Sequence, residues 1–172
     1  MELLEQFVLG NLDAFETLFR QFQRDVYSWV LRIVRDPAAA EDLTVETFWR
    51  IYRSRACFDP AQSFGAWARR IATNVALDHL RKVRAEVALP EDLSQGPPSN
   101  PALQQETRDQ IARCFRRLPA KLQVVATLAL IEERSEGEIA AALGISLGAV
   151  KSRVFRAVRR LREMLTRAGV QA

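Results

Sequence analysis

Residues 135–165, SEGEIAAALGISLGAVKSRVFRAVRRLREML, constrain the fold more than any other stretch, because two helix starts and one helix stop fall close together. Ser135 followed by Glu138 forms a capping box, in which each side chain satisfies a backbone N–H that the first helical turn leaves open. A short helix starts there. Gly144 can take the left-handed conformation of a sharp helix exit, and Ser146 is a second N-cap, so a new helix begins two residues later. The spacing predicts a helix-turn-helix. Ile139, Leu143, Ile145, Val150 and Val154 fall where two crossed helices bury them, and Ala140 leaves room for close approach.

The second of these helices carries Lys151, Arg153, Arg156, Arg159, Arg160, Arg162 and Arg167 against one acid, Glu163. That imbalance points to phosphate. In a helix-turn-helix the first turns of this helix enter the major groove, so Leu147 to Arg156 are the residues placed to reach base edges. An ordinary helical hairpin with a solvated basic face is the plain alternative, and the double cap, the glycine turn and the one-sided charge together argue against it.

At 172 residues the chain suffices for one medium or two small domains, and 48% of its residues are hydrophobic. Its net charge of +4 is uneven: residues 1–84 hold 12 basic and 11 acidic side chains, 85–104 none and 3, and 105–172 hold 13 and 7. Charge attraction is therefore not the main tool of the N-terminal part if it meets nucleic acid. Cys57 and Cys114 stand apart with no CxxC pair, and His79 is the one histidine, so no metal site or cofactor is expected. The N-terminus MELLEQFVLGNLDAF has acids where a signal peptide has bases, and no apolar run approaches membrane-spanning length. A cytoplasmic protein without direct membrane insertion is expected.

Taken in order, residues 2–9 read as a short helix ending near Gly10, and Asp13 with Glu16 as a further capping-box-like start. Phe15, Leu18, Phe19, Phe22, Val26, Trp29, Val30 and Ile33 then recur at three- and four-residue steps, the mark of a long amphipathic helix. Asp36-Pro37 ends it and begins the next, since proline suits the first helical position. From Pro37 to about Arg53, Ala40, Leu43, Phe48, Ile51 and Tyr52 face inward, while Asp42, Glu46, Trp49 and Arg53 share another side. Val45 lies one turn before Trp49, giving an apolar spot framed by Asp42, Glu46 and Arg50. A protein-binding surface has that composition, although Trp49 could equally turn sideways into the core.

The loop CFDPAQSF (57–64) follows, then the helix AWARRIATNVALDHLRKVR, with Ala68, Ile71, Ala72, Val75 and Leu80 inward. Trp67, Arg70, Asn74, Asp78 and Arg81 share its second face, where aromatic, basic and amide groups could stack on and hydrogen-bond unpaired bases. From Ala85 to about Leu103 all periodicity is lost, and four prolines mark a linker. A helix resumes with Leu103, Ile111, Cys114, Phe115 and Leu118, and Pro119 starts another containing Leu122, Val125, Leu128 and Ile131. The expected fold class is all-α: two small helical domains, 1–84 and 105–172, joined by a flexible linker at 85–104.

Three segments, AAAEDLTVETFWRIYR (38–53), FDPAQSFGAWARRIATNVALDHLRK (58–82) and LPAKLQVVATLALIEERSEGEIAAALGISLGAVKSRVFRAVRRLREML (118–165), resemble sigma factors of bacterial RNA polymerase, in the small extracytoplasmic-function group. The resemblance covers nearly the whole chain, with both domains in order. It implies that Asp42, Glu46, Phe48, Trp49 and Arg50 contact core polymerase or support that contact. Val45 stands where the family has Gln. It implies further that the loop 58–64 and the next helix capture a flipped base of the melted minus-ten element, giving roles to Phe58, Asp59, Ser63, Phe64, Trp67, Arg70 and Asn74. Capture of a flipped base explains a nearly neutral domain.

For the C-terminal helix the resemblance implies reading of the minus-thirty-five element. Lys151, Ser152, Phe155 and Arg156 fall on base-facing positions, Lys151 and Arg156 suiting guanine edges and Phe155 a thymine methyl. Arg153, Arg159 and Arg160 suit phosphate. The segment ERSEGEIA replaces the family's Gly-Leu-Ser-Tyr-like approach to this motif, and Gly137 in the first turn costs about 1 kcal/mol relative to alanine.

The reading that follows is a transcription initiation factor and not an enzyme, since the sequence has no phosphate loop, metal-ligand cluster or nucleophile constellation. Its expected partners are core RNA polymerase, promoter DNA as duplex and melted strand, and an anti-sigma factor. The alternative is a free-standing helix-turn-helix regulator with a sensory N-terminal half. Alternating strands before residue 85 would favour it, but the runs there have helical spacing.

Overall fold

The computed structural model describes residues 2–86 and 100–169, and the regular elements among them are all helical. The four helices before the linker are α1 (Leu3–Val8), α2 (Leu12–Val34), α3 (Pro37–Arg53) and α4 (Phe64–Glu86), with a 3-10 turn at Arg55–Cys57. After it come α5 (Asn100–Arg117), α6 (Ala120–Ala126), a π-helical turn (Thr127–Ile131), α7 (Glu136–Leu143) and α8 (Leu147–Arg167). Residues 87–99 of the expected linker lie outside the described residues, and α4 and α5 run into its two ends.

Local chemistry sets most boundaries. Asp36 accepts from the N–H groups of Ala38 and Ala39 at 3.0 and 3.2 Å, with Pro37 behind it at the first position of α3. Arg35, at φ 57°, closes α2 in the left-handed conformation that precedes this cap. The start of α2 departs from expectation: Asn11 is the cap, accepting from Ala14 N–H at 3.1 Å, and Asp13 lies within the first turn. Asparagine and aspartate cap equally well, and Gly10 at φ 89° ends α1 just before Asn11.

Helices α2, α3 and α4 pack against one another, with α1 laid against the start of α2. Val26, Trp29, Val30 and Ile33 of α2 meet Ala40, Phe48 and Ile51 of α3 and Ala68, Ala72 and Ala76 of α4 in one core. The alanines let α4 approach closely. Thr44 and Thr47 sit on the buried side of α3, where their hydroxyls donate to the carbonyls of Ala40 and Leu43 at 2.6 and 2.7 Å. Satisfied this way, they go inside without a polar penalty.

The helix-turn-helix does not close on α5 alone. Val124, Val125, Leu128, Ile139, Ala142 and Val150 belong to the same continuous core as α2–α4, α7 lies against α4, and Arg32 Nε pairs with Glu132 at 3.3 Å. A second, smaller cluster joins α5, α6 and the rear of α8 through Cys114, Leu118, Leu122, Ala126, Ala157 and Leu161. Helix α8 is thus rooted in both.

Candidate functional site

Helix α8 is presented as its sequence dictates. The Ser135 N–H and hydroxyl both donate to the Glu138 carboxylate, at 2.9 and 2.8 Å, while Glu138 N–H donates back to the Ser135 hydroxyl at 3.3 Å. These bonds, led by the backbone N–H, hold the Glu138 carboxyl below its ordinary range. Gly144 takes φ 63°, ψ 40°, and Ser146 accepts from Ala149 N–H at 3.2 Å to start α8.

On α8 the candidate base readers Lys151, Ser152, Phe155 and Arg156 are all exposed, and Phe155 keeps 67% of its surface in solvent. Arg159 and Arg160 are exposed too, and Arg153 is half-buried. Lys151, Phe155, Arg159 and Arg162 line an open groove of about 510 Å³ with Val154, Val158 and Glu136. Glu136 pairs with Lys151 at 3.6 Å, a contact that sequence reasoning missed because it crosses the turn between two helices. Arg159 faces Glu163 at 3.7 Å, and Arg156 Nε donates to the Ser152 carbonyl at 3.3 Å.

The second candidate surface belongs to loop 58–64 and α4. Asp59 shapes the loop: its side chain accepts from Ala61 N–H at 3.0 Å and its carbonyl from Gln62 N–H at 2.9 Å. Ser63 accepts from Ala66 N–H at 3.4 Å at the start of α4. Phe58 and Phe64 are not placed to meet a base, since each is 4% exposed and both belong to the core. Their rings pack 5.7 Å apart, against Trp67 at 4.7 and 5.9 Å. An aromatic that flanks a tight polar loop gains more by burial, and the sequence signal for a base platform has the same appearance. Trp67 is half-buried in that cluster, while Arg70 and Asn74 are exposed. Asn74 lies in a groove of about 440 Å³ with Ile71 of α4 and Arg50, Arg53 and Ser54 of the α3 end. Arg70 is turned toward the helix-turn-helix, where a Cβ on Gly144 would stand 2.6 Å from its Nε.

The third surface is the outer side of α3. Trp49 is 55% exposed, Val45 is exposed beside it, and the Arg53 guanidinium lies 6.0 Å from the indole centroid. The sideways alternative for Trp49 is not adopted. Phe48 faces the opposite way, into the core. Asp42 is exposed and Glu46 half-buried. Arg50 Nε donates to Glu46 at 2.7 Å and its NH1 to Asp78 of α4 at 3.1 Å, bonds that push the guanidinium pKa up, Glu46 first. Arg50 therefore ties α3 to α4 at the edge of this surface.

The family model for Sigma-70 region 2 matches residues 18–86, and that for Sigma-70, region 4 matches residues 108–161. The ECF RNA polymerase sigma factor BldN of Streptomyces coelicolor is 35% identical over 96% of this chain, and SigE of Mycolicibacterium smegmatis 35% over 91%. The chain spans 65% and 63% of the length of those two proteins. The RNA polymerase sigma factor CarQ of Myxococcus xanthus is 34% identical, with 94% of this chain and 95% of that protein aligned. Among solved structures, CnrH in complex with the cytosolic domain of CnrY aligns with a TM-score of 0.58 at 26% identity over 95% of both chains.

Proposed function

The chain belongs to the extracytoplasmic-function group of the sigma-70 family, and from that premise we propose that it binds core RNA polymerase and directs it to specific promoters. The observation that carries this is the order of parts on one chain: a region 2 match whose α3 and α4 surfaces stand in solvent, followed by a region 4 match whose double-capped helix-turn-helix exposes Lys151, Phe155 and Arg156. The protein is not the enzyme here. Polymerase performs the chemistry, and this chain supplies recognition.

The parts divide as follows. Val45 and Trp49, rimmed by Asp42 and Glu46, dock on core polymerase, with Arg50 and buried Phe48 as support. Lys151 and Arg156 donate to guanine edges in the duplex minus-thirty-five element and Phe155 meets a thymine methyl, with Ser152 beside them. Arg153, Arg159 and Arg160 hold phosphate. The melted minus-ten strand lies along loop 58–64 and α4, where Asp59 and Ser63 shape the loop, Trp67 offers its exposed edge, and Arg70 and Asn74 supply polar contacts. Phe58 and Phe64 act from beneath.

An anti-sigma partner is part of the proposal, because the related CnrH is solved with the cytosolic domain of CnrY. The site of action is the cytoplasm, where core polymerase is. None of the described helices is long and apolar enough to cross a membrane. The free-standing regulator is disfavoured by an N-terminal half that matches region 2 rather than a sensory domain.

Transcription in vitro from a library of promoter fragments, with purified core polymerase with and without this chain, tests the proposal. Specific start sites are expected only when the chain is present, and they should vanish on changing Lys151 and Arg156 to alanine. Duplex binding without any redirection of core polymerase would favour the regulator instead.

A further inference from the structure

Helix α1 precedes the residues matched to region 2, which begin at position 18, yet it contributes one of the most deeply buried side chains in the molecule. Phe7 is 0% exposed. Its ring centroid lies 6.3 Å from Phe58, 5.6 Å from Phe64 and 6.4 Å from Trp67, all edge-on, and 6.1 Å from Phe15 of α2. Phe58 and Phe64 are the two ends of the 58–64 loop, and Trp67 is the first large residue of α4 beyond it. One ring therefore touches both hinges of the loop and the helix face beside it.

The backbone gives the loop little other hold. Its backbone hydrogen bonds run from Phe58 N–H to the Arg55 carbonyl at 3.0 Å, from Gln62 N–H to the Asp59 carbonyl at 2.9 Å and from Trp67 N–H to the Ser63 carbonyl at 3.1 Å. The side chains of Asp59 and Ser63 accept from Ala61 and Ala66 N–H, so all of these bonds lie within a few residues along the chain. Such bonds fix the loop's internal shape and leave its placement on the domain to side-chain packing. The same end of α1 also braces the 3-10 turn that leads into the loop: a Cβ on Gly10 would lie 3.1 Å from Arg55 Nε, and Arg55 NH1 donates to the Tyr52 carbonyl at 3.0 Å.

We infer that Phe7 is a positioning residue for melted-strand capture: through Phe58 and Phe64, α1 sets where loop 58–64 stands relative to Trp67 and Asn74. This rests on the proposed role of the loop and α4. Phe7 itself touches no DNA. Interior packing transmits small displacements rather than absorbing them, so a ring replaced by a smaller, non-planar side chain shifts both ends of the loop together.

The test uses holoenzyme assembled from core polymerase and the full chain, with promoter fragments that the wild-type holoenzyme selects from a random library. Three affinities are compared for wild type, Phe7→Leu and Val30→Ala: for core polymerase, for the upstream duplex of the selected fragments, and for their single non-template strand. Val30→Ala is a matched lesion in the same core. Phe7→Leu should weaken single-strand binding at least tenfold and leave the other two affinities within twofold, whereas Val30→Ala should lower the melting temperature and leave all three within twofold. If Phe7→Leu melts below Val30→Ala, Phe7→Met is read in its place. Equal single-strand affinity for the Phe7 and Val30 variants would overturn the inference while leaving the proposed function standing. A wild-type holoenzyme with no preference for the single strand it selects would overturn the inference together with the minus-ten role of the loop and α4 on which it rests.

Discussion

The indole N–H of Trp29 on α2 donates to the hydroxyl of Thr73 on α4 at 3.0 Å inside the core, and Thr73 in turn donates to the Arg69 carbonyl at 2.7 Å. Replacing Thr73 by Val strands a buried donor and should cost about 1–3 kcal/mol in thermal unfolding. Thr73→Ser should cost less. Adding Trp29→Phe to Thr73→Val should recover part of the loss, because the orphaned donor goes with the indole.

Gly144 is held at a positive φ, so Gly144→Ala should destabilise by roughly 1–2 kcal/mol from backbone strain. The added Cβ also displaces the Arg70 guanidinium. Because that group ends a flexible side chain, Arg70→Ala should relieve only a minor part of the loss. A double-mutant cycle in urea reads the coupling, and complete rescue by Arg70→Ala would mean sterics rather than φ decides this position.

Trp49 is exposed and outside the core, so Trp49→Ala should change unfolding by less than about 0.5 kcal/mol. Its affinity for core polymerase should fall by about 2 kcal/mol, as for a buried aromatic anchor. Fluorescence titration of core polymerase measures this, and unchanged affinity would move the docking surface off α3.

On α8, Lys151→Ala and Arg156→Ala should each cost about 1–3 kcal/mol of promoter binding and relax preference at one base pair. Arg160→Ala should weaken all sequences alike and reduce the salt slope by about one. Holoenzyme binding to promoter variants at several salt concentrations separates the two classes. Glu136→Gln, which frees Lys151 from its 3.6 Å partner, should tighten binding.

The pH dependence has a definite sign. The Glu138 carboxyl is held below its ordinary value of 4.5 in the folded chain, first by the Ser135 backbone N–H. The unfolded chain therefore binds the proton more readily, so this contribution is complete above the ordinary value and is lost as pH falls through the lowered one. Thermal midpoints should drop on acidification in that window, and Glu138→Gln should flatten part of the drop.

The helix-turn-helix was legible because its signals are local: Ser135, Glu138, Gly144 and Ser146 each act within a turn of their own position. Asp36-Pro37 was legible for the same reason. Asn11 was missed because Asp13, two residues on, carries a similar signal, and the choice between them depends on where Gly10 turns the chain. The base-contact roles of Phe58 and Phe64 came from the family resemblance alone, since a ring beside a polar loop has no period to say which way it points. Their burial depends on Phe7, some fifty residues earlier, and no local pattern carries that. Trp49 stayed open in the sequence, since an indole on the charged stripe of α3 suits an exposed anchor and a sideways turn into the core equally, and the packing of α3 decides for exposure.

Helix α8 has its front anchored through Val150 in the large core and its rear through Ala157 and Leu161 in the small cluster shared with α5. The chain that connects the two halves enters the C-terminal half at α5, so any tension along it reaches the rear of α8 first. Leu161 lies six residues beyond Phe155, about 9 Å along the axis. On the proposed assignment, strain between promoter elements spaced too closely or too far apart would reach α8 from both sides, through α5 at its rear and through the contact of α4 with α7 beside Gly144. Spacer length and base preference should then behave as coupled properties of a promoter.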